Sequence, residues 1–129
     1  MRLLLDTQLV YWWQADRVRL PDSARQLIEQ NDDAVMVSRV SQWELAIKAS
    51  MGKLRIDLPL FTEQVSVIGF SWLPIESHHV LQVATLPLYD DHKDPFDRLL
   101  VAQSLSEPLI LLTTDARLAR YGSTVRVVA

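Results

Sequence analysis

Cysteine is absent from the 129-residue sequence. This excludes disulfide bonds, thiolate zinc sites and cysteine nucleophiles, so any bound metal must take oxygen or imidazole ligands. Glycine is scarce too, with three residues in the chain. They are too far apart to form a glycine-rich phosphate-binding loop. A chain without cysteine fits a reducing compartment, and we expect a cytoplasmic protein.

Long apolar segments and a basic excess are also missing. The first apolar run ends at Asp6, which makes it too short for a signal peptide. No segment has the length needed to cross a membrane. The net charge is −3, whereas domains that bind nucleic acids usually carry positive charge. That objection weakens if several carboxylates share a metal ion, because the cation neutralises them.

The composition is that of a folded domain, with 49% hydrophobic and 22% charged residues. The length suits one domain over residues 1–129. Short apolar runs alternate with segments of helical periodicity. They predict strands at 3–5, 34–37, 71–75, 109–112 and 125–128, and helices at 7–15, 22–30, 41–51, 60–68, 77–86, 95–106 and 115–119. Uniformly apolar strands between helices indicate an α/β fold with a parallel sheet covered on both faces, and such sheets bind ligands at the carboxyl ends of their strands.

Carboxylates stand at the ends of two predicted strands. Asp6 follows the first strand directly, and Asp115 follows the fourth strand after two threonines. Each could simply cap the next helix, because Asp there accepts a backbone N–H bond. Two strands that deliver Asp to one edge of a sheet are more informative than either alone.

Three further acids lie at predicted helix starts. Glu44 is three residues after Ser41, which is the spacing of a capping box. Pro95 at the first helical position makes Asp94 the natural cap and places Asp97 in the first turn. Asp97 lies close to a buried helix face and therefore needs partners.

The five acids together predict a metal site. Like charges at short range repel strongly and raise the pKa of some members, and a divalent cation removes the conflict. Oxygen ligands favour Mg²⁺ or Mn²⁺, and two such ions about 4 Å apart can activate water and stabilise the leaving oxygen of a phosphodiester. The ligands are then Asp6, Glu44, Asp97 and Asp115, with Asp94 either a ligand or only a cap.

Other side chains carry weaker signals. Thr7 and Thr114 adjoin acids and could orient water or a carboxylate. Lys48 and Arg98 are candidates for binding substrate phosphates within a broken basic rim. His78 and His79 lack metal-ligand spacing, and a loop role suits His92 better than ligation. The four tryptophans are more typical of a core than of base-stacking platforms.

The ordered set of motifs resembles PIN domains, and most closely the VapC-type toxins of bacterial toxin–antitoxin pairs. The resemblance implies a PIN-like α/β/α sandwich and a ribonuclease that uses Mg²⁺ or Mn²⁺ bound by Asp6, Glu44, Asp97 and Asp115. Asp94 matches a second acid typical of this subgroup. The family also implies an RNA substrate, a homodimer and a cognate antitoxin that blocks the site. The matching segments are 3–7, 37–38, 41–48, 92–103 and 113–115, with Leu118 and Tyr121.

Three other functions are alternatives to a ribonuclease, and the sequence opposes the first two. A phosphoacceptor receiver domain needs an acidic neighbour for Asp6 and a Lys after its last strand, and this chain has neither. An Asp-x-Asp phosphatase fails because Gln8 occupies the second acidic position. A catalytically inactive PIN-like module that binds RNA or protein is the main non-enzyme alternative, although such a protein is expected to lack some of the acids.

Overall fold

A computed structural model describes residues 1–129. The strands are β1 (Leu3–Leu5), β2 (Val35–Ser38), β3 (Ser71–Leu73), β4 (Ile110–Thr113) and β5 (Val125–Val127). The α-helices are α1 (Thr7–Ala15), α2 (Asp22–Gln30), α3 (Arg39–Ser50), α4 (Leu58–Val67), α5 (Ser77–Val83) and α6 (Pro95–Ser106). A 3₁₀ helix spans Ala116–Tyr121. None of these helices is both long and apolar enough to cross a membrane.

The five strands form one parallel sheet in the order β3-β2-β1-β4-β5. This confirms the predicted α/β class. The chain moves outward from β1 through β2 to β3, then returns to the other side of β1 for β4 and β5. The direction therefore reverses between β1 and β4, which makes their carboxyl ends the topological switch point where such sheets bind ligands. Leu5 pairs with Leu112 in this register, so Asp6 and Thr113 are neighbours.

Helices cover both faces of the sheet, which explains why the strands are uniformly apolar. Leu3 and Leu5 point into one core with residues of α1, α2 and α4. Leu4 points into a second core with residues of α6 and the 3₁₀ helix. All three leucines are fully buried. The alternation of side chains along β1 thus supplies two cores at once.

Carboxylates cap the helices that begin at the switch point. Asp6 accepts the N–H of Leu9 at 2.8 Å and begins α1. Asp94 accepts the N–H groups of Phe96 and Asp97 at 2.9 and 3.0 Å and begins α6. Asp115 caps the 3₁₀ helix. The predicted caps at Asp6 and Asp94 are therefore confirmed.

The predicted capping box of Ser41 and Glu44 is wrong. Helix α3 begins at Arg39, and the Ser38 side chain caps it by accepting the N–H of Val40 at 3.0 Å. Ser41 is buried inside the helix. Glu44 therefore lies in the second turn, with its side chain free for other contacts. The predicted end of the same helix is close, because Gly52 follows the cap residue with a φ of 70° that suits glycine.

Candidate metal centre

A cavity of about 490 Å³ opens at the carboxyl ends of β1 and β4. The fold brings together acids that are more than one hundred residues apart in sequence. The lining includes every acid predicted for the metal site, namely Asp6, Glu44, Asp94, Asp97 and Asp115. Thr7, Thr114 and Lys48 line it as well.

Asp6 is the most buried acid of the cavity, with 6% of the residue exposed. Its pKa is raised from 3.8 to about 6, mainly by burial, and the negative charges of Asp97 and Glu44 contribute to this rise. The Thr113 hydroxyl and the Leu9 N–H oppose this rise in pKa. The protein thus holds a carboxylate where ionisation is unfavourable unless a cation is near.

Asp97 projects from the first turn of α6, and its side chain is 26% exposed. Burial raises the pKa of Asp97 to about 6, and the nearby charge of Asp94 adds to the rise. Its Oδ2 lies 3.2 Å from Nε2 of His92, which is 2% exposed. Ligand atoms of His92, Asp97 and Asp115 lie within 4.8 Å of one another. Asp97 and Asp115 are therefore close enough to share a metal ion.

Glu44 contributes a carboxylate from the second turn of α3. Its Oε2 lies 3.1 Å from Nζ of Lys48, one helical turn further along. Its Oε1 is buried and has no hydrogen-bond partner. A buried carboxylate oxygen without a partner is costly, because it has lost its hydration without gaining a donor.

Asp115 differs from the other acids because a guanidinium contacts both of its carboxylate oxygens. Nε of Arg117 lies 3.1 Å from Oδ1, and Nη2 lies 2.9 Å from Oδ2. This two-pronged pair lowers the pKa of Asp115. Arg117 also donates from Nη1 to the carbonyl oxygen of Asp91 at 2.9 Å, which ties the 3₁₀ helix to the segment before α6.

The supporting residues divide into those at the cavity and one outside it. Thr7 donates from its hydroxyl to Oγ of Ser41 at 3.0 Å and so joins α1 to α3. Arg98 is not among the residues that line the cavity. Its Nη1 donates to the carbonyl of Pro87 at 2.8 Å and to the hydroxyl of Tyr121 at 3.1 Å. These contacts hold Arg98 outside the cavity, so its predicted role in binding substrate phosphates has no support there.

Several residues that line or flank the cavity were not singled out from the sequence. Arg19 and Trp12 line it, although nothing in their sequence context marks them. Trp43 is 51% exposed and stacks edge-to-face on Phe96 with ring centroids 4.8 Å apart, so its predicted core position is wrong. The contact of His92 with Asp97 was also missed, although their separation of five residues across a helix start was a usable signal.

A second cluster of potential ligands, His78, His79 and Glu107, lies away from the cavity. Nδ1 of His79 accepts the N–H of Glu76 at 2.9 Å, so Nε2 carries the proton and donates to Glu107 at 2.7 Å. A histidine ligand needs an unprotonated nitrogen facing the metal. In this tautomer His79 presents no unprotonated nitrogen toward Glu107.

The cavity fits a divalent cation. Its donors are carboxylate oxygens, the preferred ligands of Mg²⁺ and Mn²⁺. Oε1 of Glu44 is buried without a donor, and Asp6 and Asp97 occupy positions where a negative charge is unfavourable. One cation among them would satisfy the oxygen and favour ionisation of both aspartates.

Comparison with known proteins decides the family. The sequence model of the PIN domain matches residues 3–123. The chain belongs to the PIN domain family. Ribonuclease VapC22 of Mycobacterium tuberculosis is 31% identical to this PIN domain over 128 residues, which cover 92% of this chain and 91% of VapC22. The resemblance to VapC-type PIN domains is thereby confirmed.

Solved structures share the PIN fold at low sequence identity. A chain of the VapBC2 complex of Rickettsia felis, bound to a promoter DNA fragment, superposes with a TM-score of 0.71 at 14% identity and covers 98% of this chain and 97% of its own. A chain of a toxin–antitoxin complex from Klebsiella pneumoniae has a TM-score of 0.66 at 16% identity, with coverages of 97% and 96%. The predicted PIN-like sandwich is confirmed.

Proposed function

We propose that this PIN domain is a ribonuclease of the VapC type that uses Mg²⁺ or Mn²⁺ to hydrolyse phosphodiester bonds in RNA. The observation that carries the proposal is the single cavity lined by all five acids, in which Oε1 of Glu44 is buried without a partner. The 31% identity to ribonuclease VapC22 supports the reaction class. With an RNA substrate, we expect the protein to act in the cytoplasm.

The residues of the cavity have different roles according to their positions. Asp6, Glu44, Asp97 and Asp115 would hold the metal, which would supply a Lewis acid and make water a better nucleophile for the hydrolysis. Oδ1 of Asp94 accepts both hydrogen bonds of the α6 cap. We therefore assign Asp94 mainly to capping, and to metal ligation only as a secondary role. Thr7 joins α1 to α3 through Ser41, and Thr114 lies at the cavity between β4 and Asp115, so we assign both a supporting role.

Cations at the cavity suit an RNA backbone. Lys48, Lys53 and Arg19 all line it. Lys48 is paired with Glu44. When Glu44 turns toward a metal, the ammonium of Lys48 is free to bind a phosphate oxygen. We therefore propose that Lys48 binds the substrate and that Arg98 does not.

The same acids suit a protein inhibitor. We propose a cognate antitoxin that inserts an Arg or Lys among them, since a guanidinium binds a carboxylate through two hydrogen bonds. The Arg117–Asp115 pair is an intramolecular example of that contact. The structural neighbours include toxin–antitoxin complexes, which supports a partner of this kind.

A homodimer accounts for exposed apolar residues on two helices. Val80 and Leu81 on α5 are 55% and 68% exposed, and Leu88 just after it is 69% exposed. Leu60 and Val67 on α4 are 50% and 67% exposed. Several large apolar groups exposed on one helix favour a protein contact. Light scattering at micromolar concentration that finds only a monomer would contradict this assembly.

The decisive experiment measures cleavage of single-stranded RNA by the purified protein. We expect no cleavage in excess EDTA, recovery with Mn²⁺, and none at all for Asp97→Asn. The matched control is Asp22→Asn, because Asp22 is an 83% exposed acid far from the cavity in an ion pair with Arg25. Equal cleavage in EDTA would refute the metal mechanism. No cleavage of any RNA with Mn²⁺ would instead favour the inactive binding module.

A further inference from the structure

A chain of three hydrogen bonds ends on Asp97. Nη1 of Arg98 lies 3.1 Å from the Tyr121 hydroxyl, which lies 3.1 Å from Nδ1 of His92. Nε2 of His92 lies 3.2 Å from Oδ2 of Asp97. His92 and Tyr121 are 2% and 7% exposed, so water does not compete for these groups. A buried histidine in the segment before α6 is thus part of a continuous polar chain.

The two ends of this chain fix its direction. A guanidinium can only donate, and an ionised carboxylate can only accept. The Tyr121 hydroxyl therefore accepts a hydrogen bond from Arg98. It donates its own hydrogen bond to its one acceptor, Nδ1 of His92. His92 must then carry its ring proton on Nε2 and donate it to Asp97. In a neutral imidazole, reversing either bond of His92 would leave an unprotonated nitrogen facing the Asp97 carboxylate, with two acceptors face to face.

That direction excludes His92 as a metal ligand, although its ring nitrogen lies within 4.8 Å of oxygens of Asp97 and Asp115. A ligating nitrogen must be unprotonated, and both ring nitrogens of His92 are engaged. What the histidine does instead is hold one oxygen of Asp97. The other oxygen, Oδ1, accepts no hydrogen bond from the protein and stays free for a cation.

We propose that His92 is a positioning residue for the metal site, held in its Nε2–H tautomer by Arg98 through Tyr121, and that it orients Asp97 so that Oδ1 faces the cation. The proposal rests on the proposed metal-dependent function. It gives Arg98, which the cavity does not use, a role at the far end of the chain of bonds. Outer hydrogen-bond partners of metal ligands typically change metal affinity by about 10- to 100-fold.

The test compares Mn²⁺ binding by calorimetry in four variants. His92→Leu removes the donor, and we expect affinity to fall by about 10-fold or more. His92→Gln retains an N–H that can reach Asp97, so it should rescue most of the affinity. Tyr121→Phe removes only the hydroxyl, and we expect a loss between those two. His78→Leu is the matched control, because His78 is 57% exposed and outside the cavity, and it should bind as the wild type does.

The tautomer gives a readout that a merely structural role would not change. The chain has only three histidines, so a nitrogen-15 correlation spectrum assigns His92 by its loss in His92→Gln. We expect the Nε2–H tautomer with and without diamagnetic Mg²⁺, and a weaker preference for it in Tyr121→Phe, where only Asp97 still favours it. The Nδ1–H tautomer in the wild type would overturn the proposal, as would deprotonation of Nε2 on addition of Mg²⁺.

Asp97→Asn separates the failure of this inference from that of the proposed function. If Asp97→Asn binds Mn²⁺ like the wild type, the metal site itself is wrong. If Asp97→Asn weakens binding but a folded His92→Leu protein binds within about twofold of the wild type, only the positioning role is wrong. If His92→Leu does not fold, the tautomer and the ranking of His92→Gln above Tyr121→Phe decide the question, and the reverse ranking refutes the role.

Discussion

Replacing Asp6 with Asn should stabilise the metal-free protein at neutral pH. The substitution removes a buried negative charge but retains the helix cap, because the Asn oxygen can accept the Leu9 N–H that Asp6 accepts at 2.8 Å. Asn and Asp cap helices about equally well. The change therefore isolates the electrostatic cost of holding a carboxylate at the end of β1.

The magnitude follows from the pKa of Asp6, which burial raises from 3.8 to about 6. One pKa unit corresponds to about 1.4 kcal/mol, so ionised Asp6 destabilises the native state by about 3 kcal/mol at most. Because the pKa is higher in the folded protein, the contribution of Asp6 is fully favourable below pH 3.8 and is lost as pH rises toward 6. The new amide N–H groups must find acceptors, and we therefore expect a net gain of about 1–3 kcal/mol above pH 7.

The assay is urea denaturation in EDTA at a series of pH values. The free energy of unfolding of Asp6→Asn should match that of the wild type near pH 4, exceed it increasingly up to about pH 6, and stay higher by a constant amount above that. Thermal melting should show the same trend, with a shift of roughly 3–10 °C at pH 7.5. Excess Mn²⁺ should stabilise the wild type and leave the variant nearly unchanged, because ligand binding to the native state stabilises it.

Two outcomes would refute this reasoning. One is a wild type that is more stable than Asp6→Asn at pH 7.5 in EDTA. The other is a difference in stability that does not depend on pH, because that would trace the effect to packing rather than to charge. Asp22→Asn, at an exposed position, should show no gain in stability and should be stabilised by Mn²⁺ as the wild type is.

Other perturbations test single contacts. Asp94→Asn should keep the fold and part of the RNA cleavage, whereas Asp94→Ala should lower the free energy of unfolding by about 1 kcal/mol in urea titrations. A folded but inactive Asp94→Asn protein would show that metal ligation is the main role of Asp94. Arg117→Gln removes the cation that competes for Asp115, so Mn²⁺ affinity measured by calorimetry should rise, and weaker binding would show that Arg117 supports the site. Leu81→Glu places a charge in the exposed apolar patch of α5 and should shift light scattering toward the monomer, while an unchanged dimer would exclude that surface.

Much of the fold could be predicted because its signals are local. The uniform apolar character of residues 3–5 and 109–112 indicated buried parallel strands, and both lie at the centre of the sheet. Pro95 marked the start of α6, and Asp94 before it is the cap. These signals depend on side-chain periodicity and on backbone groups within one turn, which the sequence displays directly.

The predicted start of α3 is wrong because the spacing from Ser41 to Glu44 matches a capping box that the helix does not use. The structure uses Ser38 because β2 ends there and its buried hydroxyl also donates to Gln103 at 2.6 Å. That contact joins residues 65 positions apart, so no local sequence pattern predicts it. The consequence is that the second turn of α3, rather than the first, presents Glu44 to the cavity.

The sequence by itself determined which residue types could form a metal site and that strand ends would carry two of them. Only the tertiary structure decided what surrounds each acid. It placed Arg117 on Asp115, His92 on Asp97, and left Oε1 of Glu44 buried without a donor. It also turned Arg98 toward Tyr121, away from the acid that precedes it in the chain. The physical reason is that burial and charge at a point depend on every segment that converges there, and sequence order records only the neighbours along one segment.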